Sequence, residues 1–149
     1  MPGRKQDKEV LKKAGQLART YPGRLYLIPR ALSENEVAAL YSLANVAVMP
    51  YRSILISGSF YLPTTFAVPS IAPNIGMFKE AINDGISGYQ YNGEVAGLQE
   101  MLLSVIITDL NKLRAVGAKA YMENAHRSSE WFSKNYFDSL KNITASARS

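Results

Sequence analysis

Residues 45–91 decide the fold, and they read NVAVMPYRSILISGSFYLPTTFAVPSIAPNIGMFKEAINDGISGYQY. Three short apolar runs lie in this stretch, at Asn45–Met49, Pro69–Ala72 and Gly88–Tyr91. The first is apolar at nearly every position, which is typical of a parallel strand that is buried on both faces. Strands that alternate with helices indicate right-handed crossovers. The helices predicted between the runs extend from Ser57 to about Phe66 and over Phe78–Ile82.

The residues before this stretch add another predicted strand and two predicted helices. Arg24–Ile28 (RLYLI) ends at a proline and predicts a further short strand. Apolar residues at helical spacing predict an amphipathic helix over 6–20. Ser33 and Glu36 form a capping box, which marks the start of the next helix. The sequence therefore predicts an α/β fold with a Rossmann-like parallel sheet of about four strands and flanking helices.

The C-terminal part of the chain, residues 93–149, is predicted to be helical throughout. Asp109 is expected to cap its second helix, and Ser128 lies near the expected start of the third. We expect residues 1–149 to form a single domain. One buried stripe is predicted on the first of these helices from five apolar residues at helical spacing: Leu98, Met101, Leu102, Val105 and Ile106.

Composition excludes several classes of function. The chain has 149 residues with no cysteine and one histidine, so it holds no disulfide framework, no cysteine-ligated metal site and no thiol nucleophile. It has no Walker A motif, no G-x-G-x-x-G, and no pair of carboxylates at the predicted strand ends. No apolar run approaches the ~18–20 residues that span a bilayer. The N-terminus has no apolar signal region, so we expect a cytoplasmic protein.

The net charge of +5 is unevenly distributed. Residues 1–30 carry eight Lys and Arg against two acids, whereas the remainder is close to neutral. Such a segment can attract phosphate, nucleic acid or anionic lipid, but a solvated helix face explains it equally simply. No nucleic-acid-binding motif accompanies this segment, and aromatic residues do not alternate with its basic residues. A nucleic acid is therefore not expected as the partner.

The candidate site lies in the loops that follow the predicted strands, because ligands of open α/β sheets bind beyond the carboxyl ends of the strands. In the loop after Asn45–Met49, the sequence Ser57-Gly58-Ser59 opens a helix whose first N–H groups lack intrahelical partners. With Arg52 close in sequence, this loop suggests a phosphate-binding cradle. The alternative is that one of the two serines merely caps the helix.

The order of these segments resembles the C-terminal half of a GT-B-fold glycosyltransferase of the group 1 family. The resemblance covers about residues 5–140 and rests on several short motifs in the same order and spacing. They are LYSLAN, VAVMP, SGS, AVPSIAP, NIG, KEAI, DGISG and YQY, followed by SSEWFSKNYFDSL. In this family the C-terminal domain binds a nucleotide-diphosphate sugar, and an N-terminal domain holds the acceptor.

The resemblance implies a donor site with three parts, which bind the diphosphate, the sugar and the base of the donor. Its diphosphate part comprises Arg52, Ser57, Gly58 and Ser59; its sugar part comprises Ser53, Asn74, Gly76 and Met77; its base part comprises Pro29, Arg30 and Ala31. No metal and no cofactor beyond the donor substrate are expected, because a helix dipole and basic side chains stabilise the leaving diphosphate. The implied activity is that of a metal-independent hexosyltransferase in polysaccharide biosynthesis, although the catalytic residues stay unassigned.

The chain departs from the family pattern in two ways. Two glutamates that the family commonly carries eight positions apart correspond to Ile54 and Leu62, which cannot hydrogen-bond through their side chains. In addition, the first two strands of the family's domain and its acceptor domain have no counterpart here. We therefore expect one of three arrangements: the chain is a fragment, Arg24–Ile28 pairs with Asn45–Met49 instead, or a partner chain supplies the missing strands. Any peripheral membrane association is expected through the missing half. The alternative to an enzyme is a non-catalytic binding module derived from one.

Overall fold

The computed structural model describes residues 5–53 and 60–124. The chain divides into two compact units, with the boundary between Val37 and Ala38. The described elements are the helices α1 (Lys5–Thr20), α2 (Glu34–Leu43), α3 (Tyr61–Thr65), α4 (Gly76–Ala81), α5 (Val95–Ile106) and α6 (Leu110–Asn124), and the strands β1 (Ala47–Val48), β2 (Ser70–Pro73) and β3 (Tyr89–Tyr91).

The first unit contains α1 and an irregular segment that replaces a predicted strand. The helix predicted over 6–20 is confirmed, but Arg24–Ile28 is not a strand. The N–H groups of Arg24 and Leu25 donate to the carbonyl of Tyr21 in a turn, and residues 24–28 are exposed. An extended segment becomes a strand only where a neighbour supplies ladder hydrogen bonds, and among the described residues none pairs with it.

The predicted capping box at the start of α2 is confirmed. The N–H and Oγ–H of Ser33 each donate to Glu36 Oε2 over 2.9 Å, and the N–H of Glu36 lies 3.4 Å from Ser33 Oγ. The guanidinium of Arg30 adds an ion pair with the same carboxylate. These hydrogen bonds lower the pKa of Glu36 to about 2, with Arg30 as the largest cause.

The second unit is built on a parallel sheet in the order β1–β2–β3. Ala47 pairs with Ser70, and Ile71 pairs with Tyr89, so the carboxyl ends of all three strands lie at one edge. The three strands predicted from residues 45–91 are confirmed, each shifted or shortened by one to three residues. The prediction of about four strands is wrong for the described residues, because Arg24–Ile28 does not join them.

Two apolar clusters pack on opposite faces of this sheet. Alternate residues of a strand face opposite sides, which places Ile71 in one cluster and its neighbour Ala72 in the other. The first cluster packs α5 and α6 against the sheet through Tyr89, Tyr91, Val105, Leu113 and Val116. The second packs α3 and α4 through Met49, Phe60, Phe78 and Ile82.

Two residues with restricted backbone conformations lie in and just after the short helix α3. Pro63 lies in its first turn, where a missing N–H costs nothing because the first four N–H groups of a helix have no intrahelical acceptor. Ala67, just past the end of α3, has a φ of 53°, in the left-handed region that glycine favours. Its carbonyl lies so close to Gly117 of α6 that a Cβ there would be 1.9 Å from the oxygen. Glycine at 117 is therefore what lets α6 approach this turn.

The two described C-terminal helices differ from prediction at one position. Asp109 caps α6 as expected, since its Oδ1 accepts the N–H of Asn111 over 2.9 Å. Ile106, predicted to join the buried stripe of α5, is instead 75% exposed. The helix predicted to start near Ser128 lies outside the described residues. Over the described part of the chain, no helix combines the length and apolar character needed to cross a membrane.

Candidate functional site

The candidate site of the second unit is formed by the loops that leave β1 and β2. Both loops bend directly after their strands, because the N–H of Tyr51 donates to the Met49 carbonyl over 2.9 Å and the N–H of Ile75 donates to the Pro73 carbonyl over 2.8 Å. Such three-residue turns are common at strand ends. The N–H of Asn74 donates to the carbonyl of Tyr91 over 2.7 Å, which ties the β2 loop to the end of β3. The structure therefore brings the first two predicted loops to one edge of the sheet.

The β1 loop presents an exposed cation at this edge. Arg52 and Ser53 are exposed directly after the turn at Tyr51. Arg52 forms no ion pair with any carboxylate of the described residues. Its guanidinium offers planar donors that match phosphate oxygens, and in residues 5–53 and 60–124 no paired carboxylate has to be displaced before a ligand binds. The predicted role of Arg52 is thus compatible with its surroundings.

The β2 loop combines a polar residue, a glycine and an apolar wall. Asn74 is exposed, whereas the side chain of Met77 packs against the cluster around Phe78. Gly76, the first residue of α4, has a φ of 48°, which a residue with a Cβ adopts only under strain. Glycine at this position therefore keeps the loop in its sharp turn and leaves its backbone uncovered by a side chain.

Tyr51 is a site residue that was not predicted from the sequence. Its ring lies 5.7 Å from that of Phe78, between ring centres, at an angle of 47°. This contact joins the β1 loop to α4, the helix that follows the β2 loop. The available signal was an aromatic residue directly after the proline that ends a buried strand. Tyr51 also lines an open pocket of about 380 Å³ beside β1. The other described lining residues are uncharged as well: Tyr41, Ala44, Val46, Ala47, Val48, Met49 and Pro50.

The predicted base-side loop belongs to the first unit. Pro29, Arg30 and Ala31 are all exposed. The guanidinium of Arg30 is already engaged, because its Nη1 donates to Glu36 Oε2 over 3.0 Å and to the carbonyl of Ala31 over 3.1 Å. This pairing raises the pKa of Arg30. The structure thus gives Arg30 a local role in holding the entry to α2.

The predicted diphosphate cradle, Ser57, Gly58 and Ser59, lies outside the described residues, as does Ile54. Leu62 is described, in the first turn of α3, with 38% of its surface exposed. An apolar side chain at this position provides no hydrogen bond to a polar ligand. The described polar side chains at the carboxyl edge therefore include those of Tyr51, Arg52, Ser53 and Asn74, together with the loop backbone.

Comparisons with known proteins place this geometry in a known fold. Protein-family models and curated proteins give no match to the sequence. Solved structures do: the C-terminal domain of the group 1 family glycosyl transferase LpcC from Francisella tularensis is 16% identical with a TM-score of 0.69, over 82% of this chain and 64% of that domain. Alr3699/HepE from Anabaena, in complex with UDP and glucose, is 15% identical with a TM-score of 0.74, over 92% of this chain and 38% of its own.

Sucrose-phosphate synthase (tll1590) from Thermosynechococcus elongatus is also similar, with 17% identity and a TM-score of 0.78 over 98% of this chain and 37% of that protein. The chain thus spans less than two thirds of the length of each of these three structures. At this identity the likeness establishes the fold. It confirms the predicted resemblance to the C-terminal domain of group 1 glycosyltransferases, which contains the parallel sheet and flanking helices described above.

Proposed function

We propose that the chain is the donor-binding part of a glycosyltransferase and binds a nucleotide-diphosphate sugar at the carboxyl edge of the β1–β3 sheet. The observation that carries the proposal is the fold, which the chain shares with glycosyltransferases whose structures include one with UDP-glucose bound. The guanidinium of Arg52 supports it, because it is exposed at the carboxyl edge and pairs with no carboxylate in the described part of the chain. Ligands of open α/β sheets bind at this edge for general topological reasons.

The donor would be divided among the loops by its chemistry. The diphosphate needs charge and N–H donors, and these are offered by Arg52 and by Ser57-Gly58-Ser59 in the same loop. The sugar would lie against Ser53, Asn74, Gly76 and Met77, where polar groups stand beside an apolar wall. The base is assigned to Pro29–Ala31 on the strength of the resemblance.

The reaction would transfer a hexosyl group to an acceptor held by another domain or chain. The bond between the anomeric carbon and the diphosphate oxygen breaks, and its electron pair leaves with the nucleotide diphosphate. The acceptor hydroxyl forms the new bond to the anomeric carbon, and its proton passes to the released nucleotide diphosphate or to solvent. Because negative charge grows on the leaving diphosphate, Arg52 would stabilise the transition state, and we propose that this occurs without a metal ion. A cytoplasmic location and a role in polysaccharide biosynthesis belong to the same proposal.

A titration of the full chain with UDP and GDP, followed through backbone amide shifts, tests the proposal. Shifts are expected at Arg52 and at Ser57, Gly58 and Ser59, the proposed diphosphate part, at millimolar nucleotide, and uridine without phosphates should leave them in place. Arg52→Ala should weaken UDP binding by roughly ten- to a hundredfold, since a hydrogen bond to a charged group is worth roughly 1.5–3 kcal/mol. Lys12→Ala, which removes another exposed cation, on α1, is the matched control. Equal shifts with uridine and UDP, or none with either nucleotide, would contradict the proposal.

The second candidate is a binding module without catalytic activity. Leu62 favours it, because an exposed apolar side chain stands where the resemblance implies a glutamate. In that case, supplying an acceptor domain produces no sugar transfer, and Ser57→Ala has no effect in the transfer assay. A transfer activity that Ser57→Ala reduces would instead support the enzyme.

A further inference from the structure

The turn between β3 and α5 contains an asparagine followed by a glycine, Asn92-Gly93. Asparagine is one of the thermally labile residues of proteins. Its side-chain amide can be attacked by the backbone nitrogen of the next residue, and glycine at that position gives the least steric hindrance. Both residues are exposed, and a Cβ placed on Gly93 would have no atom within 4 Å. The described part of the chain therefore leaves room for this attack.

The hydrogen bonds of this turn favour the reaction. Oδ1 of Asn92 accepts the N–H of Glu94 over 3.0 Å. The ring of atoms that this hydrogen bond closes contains both Cγ of Asn92, which is the carbon to be attacked, and the nitrogen of Gly93, which attacks it. Within residues 5–53 and 60–124, the N–H of Gly93 and the Nδ2 group of Asn92 have no hydrogen-bond partner. The attacking and the leaving nitrogen are therefore both available.

A second pair that can form the same cyclic imide, Asp84-Gly85, has the opposite arrangement. The N–H of Gly85 donates to the carbonyl of Gly88 over 2.8 Å, which holds this nitrogen within the fold. The carboxylate of Asp84 is engaged as well, because its Oδ1 accepts the N–H of Gln90 over 2.8 Å. Attack at Asp84 therefore requires the turn to open first. Of the two pairs, the structure favours reaction at Asn92-Gly93.

We propose that Asn92 is a site of spontaneous deamidation, which converts it to aspartate and isoaspartate in the folded protein. The nitrogen of Gly93 loses its proton to solvent and bonds to Cγ of Asn92. The bond from Cγ to Nδ2 breaks, and Nδ2 leaves as ammonia with a proton from water. Water then hydrolyses the cyclic imide: cleavage at Cγ gives aspartate, and cleavage at the backbone carbonyl carbon gives isoaspartate. The proposal is independent of donor binding, because the reaction needs the turn and water alone.

The two products should differ in their effect on α5. Aspartate keeps an oxygen for the N–H of Glu94 and adds a negative charge near the N-terminus of α5, where the helix dipole favours it. Isoaspartate lengthens the main chain by one carbon, which moves this oxygen. Oδ1 of Asn92 also packs so close to Gly97, in the first turn of α5, that a Cβ there would overlap it. We therefore expect isoaspartate to weaken the start of α5 and aspartate to leave it intact.

Peptide mapping of the aged full chain tests the proposal. The folded protein and a sample unfolded in guanidinium chloride are incubated at neutral pH in isotopically labelled water and then digested with trypsin. Labelled oxygen marks the sites that reacted during incubation, and electron-transfer fragmentation distinguishes aspartate from isoaspartate in the peptide 80–112, which carries both pairs. At Asn92 the folded chain should react nearly as fast as the unfolded chain. At Asp84 it should react at least about tenfold more slowly, which corresponds to a local opening free energy of about 1.4 kcal/mol.

Asn111 and one variant are the controls. Asn111 is exposed as well, but the N–H of the next residue, Lys112, donates to Oδ1 of Asp109 over 3.3 Å, so it should stay intact in the folded chain. Asn92→Asp supplies one product directly. Its thermal unfolding should match that of fresh wild-type protein, whereas the isoaspartate fraction separated from the aged sample should unfold at a lower temperature.

Two results would overturn the proposal. The first is an Asn92 that stays intact in the folded chain over an incubation that converts it in the unfolded chain, since the turn would then protect it. The second is an equal ratio of folded to unfolded rates at Asn92 and Asp84, since the hydrogen bonds of the two turns would then not select between them.

Discussion

Gly117→Ala is the substitution for which the structure gives the sharpest expectation. The change adds one methyl group in the middle of α6, where Gly117 is buried. An ideal Cβ there lies 1.9 Å from the carbonyl oxygen of Ala67, 2.8 Å from its carbonyl carbon and 3.0 Å from Cδ of Pro69. Ordinary contact begins at about 3.4 Å, so α6 or the turn after α3 must move by about 1.5 Å.

The magnitude follows from two opposing effects. Alanine favours a helix over glycine by about 1 kcal/mol, which on its own would stabilise α6. Overpacking of a rigid site costs roughly 1–3 kcal/mol and occasionally more. Here the obstructing atoms belong to backbone and a proline ring, which cannot rotate away, so the cost lies at or beyond the upper end of that range. We expect a net loss of about 2 kcal/mol in the free energy of unfolding.

Urea denaturation followed by far-ultraviolet circular dichroism measures this loss. A decrease of ~2 kcal/mol also corresponds to a melting temperature lower by roughly 4–8 °C for a chain of this size. Gly15→Ala is the matched control: it is also a helical glycine, but the nearest atom to its added Cβ is 3.8 Å away. That control should stabilise α1 slightly. A Gly117→Ala protein within about 0.5 kcal/mol of the wild type would refute the close approach of α6 to the turn at Ala67.

Two other predictions concern the turn after α3 and the entry to α2. Ala67→Gly should raise the free energy of unfolding by roughly 0.5–1 kcal/mol in the same urea assay. Glycine relieves the left-handed φ of 53° at this exposed position, but part of the gain is lost because glycine makes the unfolded chain more flexible. A variant less stable than the wild type would contradict this prediction. The Glu36 carboxyl should titrate at a pKa of about 2 by NMR, below its ordinary 4.5. Because the folded chain then binds the proton less tightly than the unfolded chain, the stabilisation from this carboxylate is complete above about pH 4.5 and is lost as the pH falls through about 2. Arg30→Gln should raise the pKa of Glu36. A wild-type pKa near 4.5 would show that the ion pair does not form.

Local signals in the sequence predicted most of the elements correctly. Periodicity located α1 and α5, and the Asp109 cap located the start of α6. The capping box at Ser33 and Glu36 marked the start of α2 to the residue. Apolar runs located all three strands of the sheet, because strands buried on both faces have few polar residues. These features depend on neighbours a few residues apart, and such neighbours are visible in a sequence.

The candidate site was predicted in outline. The rule that ligands bind at the carboxyl ends of parallel strands selected the loops with Arg52 and Asn74, and the structure brings these two loops to one edge. The contact of Tyr51 with Phe78 was not predicted, because it joins two elements through side-chain packing. The engagement of Arg30 by Glu36 was missed as well, since each residue had been given a separate role.

The sequence by itself determined the α/β class, the parallel sheet and the loops that border the candidate site. Only the tertiary structure decided that Arg24–Ile28 forms no strand, that Ile106 lies outside the core, and that Gly117 is required against the turn at Ala67. The physical reason is the same in each case. An apolar pattern shows that a segment can be buried or paired, but burial and pairing also need a second segment at the right distance, and that partner is set by how distant parts of the chain pack.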